Sequence, residues 1–412
     1  MPIRTGSRPL ALVGCALLAL GLRVGRLLEH PFIHLDGPGY IETAHHLGSG
    51  AADFTAYYPP GFPLVIRIAH AGGLEWEPGA RAAALAAGVA AVPLAAVLAT
   101  AILDPAAGVV TALFVAVHPV LVRASAEVLP ETTYGVLVLV WALLVVPRVS
   151  ATRAAAAGLI AALATLTRAE GVVLVPLTAL AVVLPGPPRA SAARVVLALA
   201  FAGAVLGPVA AAVHGATGVW ALTGKTQPLL ARLYKVRVSG VADLVVNHPG
   251  AFFRVYRGGL AHQLGYLLGA IYPPFVVLLG IGLATPARDA VDRRARWLLL
   301  AIVAAFTLAI AINPGRRYAL PLVPLLLPWA ALGLRRLARL APAGNWWRIA
   351  IAAGVIVVFA VQALSPPQPQ PETCYRSICA WLSEHFAPTP PILSLDGRIA
   401  YLCRTRFVLE PH

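Results

Sequence analysis

The sequence predicts an all-α polytopic membrane protein with about eleven transmembrane helices. Three observations carry the prediction. Of 412 residues, 59% are hydrophobic and only 12% charged, against roughly 25% charged in a soluble domain. Mean hydropathy is +0.79. Several uncharged stretches run for about 16–20 residues, close to the ~20 that a helix needs to cross a bilayer.

Apolar runs fall at 10–28, 82–103, 107–122, 132–147, 154–167, 170–185, 195–213, 264–284, 297–312, 318–334 and 349–364. The run at 154–167 is short for a full crossing and reads as tilted or buried against neighbours. Leu12-Val13-Gly14-Cys15 has the look of a lipoprotein cleavage box. Only about six apolar residues precede Cys15, and a signal segment needs ~7–15 there. The first run is therefore read as an uncleaved span. No internal repeat is visible, which gives no support to a transporter built from inverted repeats.

Formal net charge is +15, from 32 Lys+Arg against 17 Asp+Glu, and the only lysines are Lys225 and Lys235. No basic stripe sits on a polar domain, so nucleic acid is excluded as the partner. The arginines read instead as positive-inside loops and as contacts to phosphate or anionic membrane lipids. Every second loop is basic: Arg4 and Arg8; Arg148 and Arg153; Arg189 and Arg194; Arg288, Arg293, Arg294 and Arg296; Arg335, Arg336, Arg339 and Arg348. The alternate loops hold Asp36, Glu42, Glu127, Glu131 and Glu170. This pattern predicts a multi-pass plasma-membrane protein with its N terminus cytoplasmic and its C terminus extracytoplasmic.

Residues 1–364 read as the transmembrane domain, with a first outer loop at about 29–80 and a second at about 214–262. Residues 365–412 read as an extracytoplasmic tail. It opens with the extended linker Pro366-Pro367-Gln368-Pro369-Gln370-Pro371. Helix and strand signals follow, predicting a small α/β segment. Its three cysteines, Cys374, Cys379 and Cys403, face an oxidising compartment on this topology. One disulfide and one spare thiol are expected, with the pairing open.

Chemistry concentrates where charge meets the ends of the spans, where ionisable residues are costly. Asp36 lies in His34-Leu35-Asp36-Gly37-Pro38-Gly39-Tyr40. Alone it reads first as a helix N-cap, second as a base facing an incoming hydroxyl. Glu127-Val128-Leu129-Pro130-Glu131 brings two acids to the same face. Glu131 alone reads as a first-turn acid stabilising a helix dipole. In Leu166-Thr167-Arg168-Ala169-Glu170-Gly171, Arg168 and Glu170 read equally as an interface pair or as part of a site. Arg316 and Arg317 precede Tyr318 on a face where arginines are unexpected. Their forked guanidinium groups suit a phosphate or a lipid headgroup. Together, acids that can take a proton and arginines that can hold a phosphate gather on one face. Tyr58 reads as an interfacial anchor or a sugar platform. His34, Asp36 and His45 form the one metal set on offer; nothing else supports a divalent metal, and no cofactor is assigned. No paired Cys-x-x-Cys exists for zinc.

These segments resemble, in order along the chain, the GT-C superfamily of membrane glycosyltransferases. That group contains the protein O-mannosyltransferases and the aminoarabinose lipid A transferases. Asp36 with Tyr40 resembles the first acidic motif. Tyr57-Tyr58-Pro59-Pro60-Gly61-Phe62-Pro63-Leu64 resembles a Tyr-Pro-Pro-Gly-Tyr-Pro-Leu segment, and Ser125 through Glu131 the second acidic motif. Leu166-Thr167-Arg168-Ala169-Glu170-Gly171 is similar to a Leu-Thr-Arg-x-Glu-Gly element. Arg317-Tyr318-Ala319-Leu320-Pro321 through Pro324 is similar to an Arg-Tyr-x-Leu-Pro-x-x-Pro element. One departure is that Gly37 follows Asp36, where many relatives carry a second acid. The resemblance implies transfer of a sugar from a polyprenyl-phosphate donor to a lipid, glycan or protein acceptor on the extracytoplasmic face, with inversion. It implies Asp36 as base, Glu127 or Glu131 as a second acid, and Arg317, Arg316 and Arg168 on the donor phosphate. Tyr40, Tyr58, Glu170 and Tyr318 would line the substrate. The alternative is a lipid or solute transporter or flippase, which would line its spans with charge; these spans read as nearly charge-free.

Overall fold

The computed structural model describes residues 8–29, 33–47, 58–147, 149–183, 188–224, 226–340, 354, 357, 361, 372–386, 392–393, 397–403 and 407–408. Four stretches are long and apolar enough to cross a membrane. They are helix α1 (Arg8–Glu29), α4 (Trp76–Ile102), α10 (Pro188–Thr217), and a 3-10 turn (Arg316–Leu322) running into α16 (Val323–Leu340). Two bent pairs raise the number to six. In the first, α5 (Pro105–Val117) meets α6 (Pro119–Ala126) at 54°. In the second, α13 (Pro249–Ile271) meets α14 (Pro273–Leu283) at 93°.

Length and composition therefore mark four to six crossings among the described residues rather than eleven. The apolar runs are real helices, but several are short. α7 (Glu131–Val145), α8 (Ala151–Thr167) and α9 (Leu174–Val183) have 15, 17 and 10 residues. A short helix is apolar here because neighbours cover it: Trp141 and Val138 of α7 are fully buried. α15 (Ala290–Ile310) opens on Asp292, Arg293, Arg294 and Arg296. The run at 349–364 lies mostly outside the described residues, as do Tyr57 and the linker at 366–371.

Prolines explain both bends. Proline lacks an N–H and pushes the preceding residue out of the helical region. His118 before Pro119 is extended, and Tyr272 before Pro273 sits at φ 74°. Residues 107–122 and 264–284, continuous apolar runs in the sequence, are each broken in the structure.

Glycines set the tightest crossings. A Cβ on Gly158 of α8 would collide with the backbone carbonyl of Ala198 on α10. Between α14 and α16, a Cβ on Gly282 would strike the Trp329 carbonyl, and one on Gly333 the Leu278 carbonyl. Small residues let backbones approach this closely in membrane bundles.

At the end remote from Asp36, Asp104 caps α5 through Ala107 N–H at 2.8 Å. It also accepts from Arg335 at 2.7 Å and Arg288 at 2.8 Å. Burial pushes its carboxyl up, but these bonds and charges outweigh that and hold it at about 2. Arginines that read in the sequence as loop charge are thus structural ties. Arg294 donates to the Pro147, Val145 and Ala181 carbonyls at 3.0, 3.2 and 2.9 Å.

The spans, read as nearly charge-free, hold an arginine out of solvent. Arg23 of α1 is fully buried. The tail contains α17 (Glu372–His385), β1 (Ile392–Leu393), α18 (Gly397–Leu402) and β2 (Phe407–Val408). The two strands pair in parallel, Ile392 with Phe407 and Leu393 with Val408. Cys379 is bonded to Cys403, while the side chain of Cys374 lies outside the described residues.

Candidate active site

The site is built where chain breaks meet. Asp36 precedes α2 (Gly37–His46) and makes no side-chain cap bond. The N-cap reading is thereby corrected, because the carboxylate is spent elsewhere. Its Oδ2 lies 2.5 Å from Arg317 Nη1. Arg317 Nε lies 3.7 Å from Glu131 Oε1. The same Glu131 oxygen accepts from Arg168 Nη1 at 2.5 Å. Arg168 then grips Glu170 through Nε at 3.3 Å and Nη2 at 3.2 Å. The chain of charges runs Asp36, Arg317, Glu131, Arg168, Glu170. Two guanidinium groups thus face three carboxylates. The Tyr318 ring lies beneath both, 4.6 Å from Arg168 and 5.4 Å from Arg317, in cation–π range.

Local structure explains the placement. Both arginines stand at the entry of 3-10 turns, Ala169–Val173 and Arg316–Leu322, that interrupt apolar helices. Gly171 closes the first turn, because a Cβ there would press on the Ala164 and Thr165 backbone. Gly61 opens α3 (Gly61–Ala71) directly against the Thr167 backbone. Gly39 leaves room for the Tyr58 ring, which packs on Tyr40 at 4.6 Å. The Pro-Pro-Gly segment, the Thr-Arg-Ala-Glu-Gly element and the Asp36 turn are therefore one packed unit. Beneath it lies an apolar floor of Ile33, Tyr40, Ile41, Phe62, Ile66 and Val128.

The expected residues divide. Asp36, Glu131, Arg168, Glu170, Arg317 and Tyr318 come together. Tyr40 is buried beside them, edge-on to Phe62 at 5.5 Å. Arg316 is exposed and forms no ion pair among the described residues. Glu127 stands just beyond α6. Burial and the nearby Glu131 charge push its carboxyl up to about 7, against the pull of Arg26, Arg317 and Arg123. Its charge state can therefore change near neutrality.

The metal set is not assembled. His45 turns edge-on to Trp76 at 5.2 Å, and His34 Nδ1 accepts the Asp36 backbone N–H at 3.2 Å. Burial, then the Arg317 charge, lowers His34 to about 4, so its ring is neutral at pH 7. No three His, Cys, Asp or Glu groups gather to hold a metal among the described residues. The site carboxylates are instead matched with guanidinium groups.

Sequence reading missed two contributors. Gln263 of α13 is buried and accepts the Gly315 N–H at 3.0 Å, fixing the Arg316–Leu322 turn. Tyr401 of α18 donates to Glu77 at 3.2 Å and packs on the floor beneath Asp36, bringing the tail to the site. A buried glutamine leaves no periodic signal. A tail residue pairs across 324 positions with nothing in the spacing to mark it.

No protein-family model and no curated protein matches the sequence. Solved structures do. The oligosaccharyltransferase of Archaeoglobus fulgidus superposes with a TM-score of 0.63 at 15% identity, over 99% of this chain and 65% of that one. The chain therefore spans about two thirds of that enzyme's length. ArnT from Cupriavidus metallidurans, bound to undecaprenyl phosphate, gives a TM-score of 0.60 at 18% identity, over 99% of this chain and 86% of that one. A mycobacterial arabinofuranosyltransferase, AftD, gives 0.50 at 17% identity, over 93% of this chain and 30% of that one. This chain shares the fold of these membrane-enzyme structures.

Proposed function

We propose, starting from that shared fold, that the protein transfers a sugar from a polyprenyl-phosphate donor to an acceptor hydroxyl on the extracytoplasmic face of the membrane. The observation that carries this reading is the Asp36–Arg317 pair joined through Glu131 to Arg168. ArnT was crystallised with undecaprenyl phosphate, and a lipid phosphate of that class is the leaving group of the transfer proposed here.

Asp36 is the base in this reading. In its resting pair with Arg317 it is a weak one, because a guanidinium stabilises the charged carboxylate. A donor phosphate would compete for Arg317 and release Asp36 as it binds. Arg317 and the exposed Arg316 hold the phosphate, and Arg168 holds Glu131 and Glu170 in place behind them. The acceptor oxygen attacks the anomeric carbon from the side opposite the phosphate. The new C–O bond forms as the C–O bond to phosphate breaks. The hydroxyl proton passes to Asp36, and the polyprenyl phosphate leaves with the negative charge, stabilised by the arginines. One base and no enzyme nucleophile gives inversion. Tyr40 and Tyr318 fix the walls, Tyr58 backs Tyr40, and Glu127 is the second acid available near neutral pH. Residues 1–364 would form the transferase domain and 365–412 an extracytoplasmic tail, with the N terminus inside.

The test is transfer by purified protein. Wild type, Asp36→Asn and Arg317→Ala are incubated with membranes and a panel of radiolabelled polyprenyl-phosphate sugars. Transfer by wild type, lost in Asp36→Asn with folding intact, is the expected result. Transfer that survives Asp36→Asn removes Asp36 as base and moves attention to Glu127 and Glu131.

A further inference from the structure

A single buried side chain joins the two breaks in the bundle. His118 stands directly before Pro119, at the 54° bend between α5 and α6, and is fully buried. Its Nε2 lies 3.0 Å from the carbonyl of Ile271, the last residue of α13 before the 93° bend. Proline chemistry accounts for both ends of this contact. In a continuous helix the Ile271 carbonyl would accept the N–H of residue 275. Pro273 and Pro274 have no N–H to offer, and the Phe275 N–H turns to the Tyr272 carbonyl at 2.9 Å. The Ile271 carbonyl therefore relies on a side chain for its donor. At the other break, Pro119 leaves the Val115 carbonyl without its usual donor. Arg23, buried in the first span, donates to that carbonyl through Nη2 at 3.1 Å and to the Ala116 carbonyl through Nη1 at 3.0 Å. The end of α5 that presents His118 is thus held in place. The Phe275 ring stacks on the imidazole, with centroids 4.9 Å apart and planes at 18°.

The contact fixes the state of the ring. A carbonyl only accepts, so Nε2 carries the proton. Nδ1 is buried and has no hydrogen-bond partner. A second proton there would bury an N–H and a charge with no acceptor, so the ring is neutral.

Each side of the contact leads to the charge cluster. From His118, α6 runs to Glu127, and Glu131 follows at the start of α7. From Ile271, α13 runs back to Gln263, about 12 Å along the helix. Gln263 accepts the Gly315 N–H at the entry of the turn that carries Arg316 and Arg317. Further back, α13 is seated on the end of α15. Tyr256 donates to the Leu308 carbonyl at 2.9 Å, and a Cβ on Gly259 would strike the Ala311 carbonyl. A shift of α13 therefore carries the Arg317 turn with it.

We infer that His118 is a neutral, Nε2-protonated latch between the two breaks, and that it acts through α13 and Gln263 as a positioning residue for Arg317. The positioning role rests on the glycosyl-transfer reading, in which Arg317 holds a lipid phosphate; the latch stands without it.

The test uses the full-length protein in detergent micelles and two variants. His118→Phe keeps a ring against Phe275 and removes the donor. His118→Gln keeps a side-chain N–H of similar reach. In protein labelled with 15N-histidine, the His118 signals are those lost in His118→Phe. They are expected to show Nε2 protonated and Nδ1 bare. Amide exchange in His118→Phe is expected to quicken at both breaks, residues 115–120 and 271–276. A charged ring, an Nδ1–H tautomer, or unchanged exchange at the breaks overturns the latch. The positioning role is read from the Kd for undecaprenyl phosphate, which a smaller folded fraction does not move. His118→Phe is expected to bind about tenfold more weakly, with His118→Gln near wild type. Quickened exchange with unchanged Kd, or equal weakening in both variants, overturns the positioning role alone. Wild type that binds no undecaprenyl phosphate overturns the phosphate role of Arg317 and the positioning role with it, while the spectrum and the exchange still decide the latch.

Discussion

Arg168→Met is the perturbation whose cost the structure defines most closely. Arg168 is 7% exposed and bridges two acids. The Glu131 carboxylate at 2.5 Å is 1% exposed, and that of Glu170 at 3.2 Å is 25% exposed. Breaking a buried pair from one side costs about 3–5 kcal/mol, chiefly because the surviving charge is stranded. Arg317 remains 3.7 Å from Glu131, which puts the loss at the low end, about 3 kcal/mol. Glu170 is the more exposed of the two acids and adds less. The companion variant Arg168→Met with Glu131→Met removes the stranded charge as well. Apolar replacement of a whole buried pair is close to neutral, so the double variant should regain about 2 kcal/mol of the loss. Equilibrium unfolding in micelles of wild type, both single variants and the double variant gives the coupling directly. A loss below about 1 kcal/mol for Arg168→Met, or a double variant as unstable as the sum of the singles, would refute the reasoning.

Three further outcomes follow from the geometry. Glu127 is raised to about 7, so its native carboxyl keeps a proton that the unfolded chain releases. The stability this gives is complete below the unfolded value of ~4.3 and is lost as pH rises through 7. His34 is lowered to about 4, and its contribution is complete above ~6.5 and is lost as pH falls towards 4. The two slopes oppose each other, so Glu127→Gln should leave a stability that falls on acidification below pH 6.5 more steeply than wild type, read from melting temperatures across pH 4–7. Cys379→Ser opens a link across 24 residues, which is worth about 3 kcal/mol to the tail. Limited proteolysis should then cut the tail while leaving the bundle intact. Tyr401→Phe removes the hydrogen bond to Glu77 and should loosen α18 by about 1 kcal/mol, seen as faster amide exchange in α18 than in α17.

The bundle was legible in the sequence because lipid-facing and core-facing helices are both apolar, and apolar runs are what a reader sees. The same property hid the difference between a helix that crosses and one that is merely covered, as with α7. The breaks were partly readable: Pro119 and the Pro273-Pro274 pair stand in plain view, though inside runs that contain no Asp, Glu, Lys or Arg. Within the site, Arg168 and Glu170 lie two positions apart and read as a pair, which they are. The link from Arg168 to Glu131 spans 37 positions and has no spacing to betray it. It emerged only as a gathering of acids and arginines on one face. Arg23 was unreadable in its role, because its partners are carbonyls exposed by a break elsewhere. A sequence shows side chains, and here the backbone is the ligand.

The glycine crossings bear on how this machine can move. Where side chains interdigitate, a helix can slide by letting rotamers yield. At Gly158 against Ala198, and at Gly282 and Gly333 against Trp329 and Leu278, the main chains themselves touch. Such a joint has no compliant layer, so it behaves as a weld and not as a bearing. The pairs α8–α10 and α14–α16 should therefore travel as rigid blocks. Relative motion of these blocks falls instead to the breaks between helices, among them the 93° elbow at Tyr272 and the two 3-10 turns that carry the arginines. A displacement at those turns would rearrange the charge cluster with it.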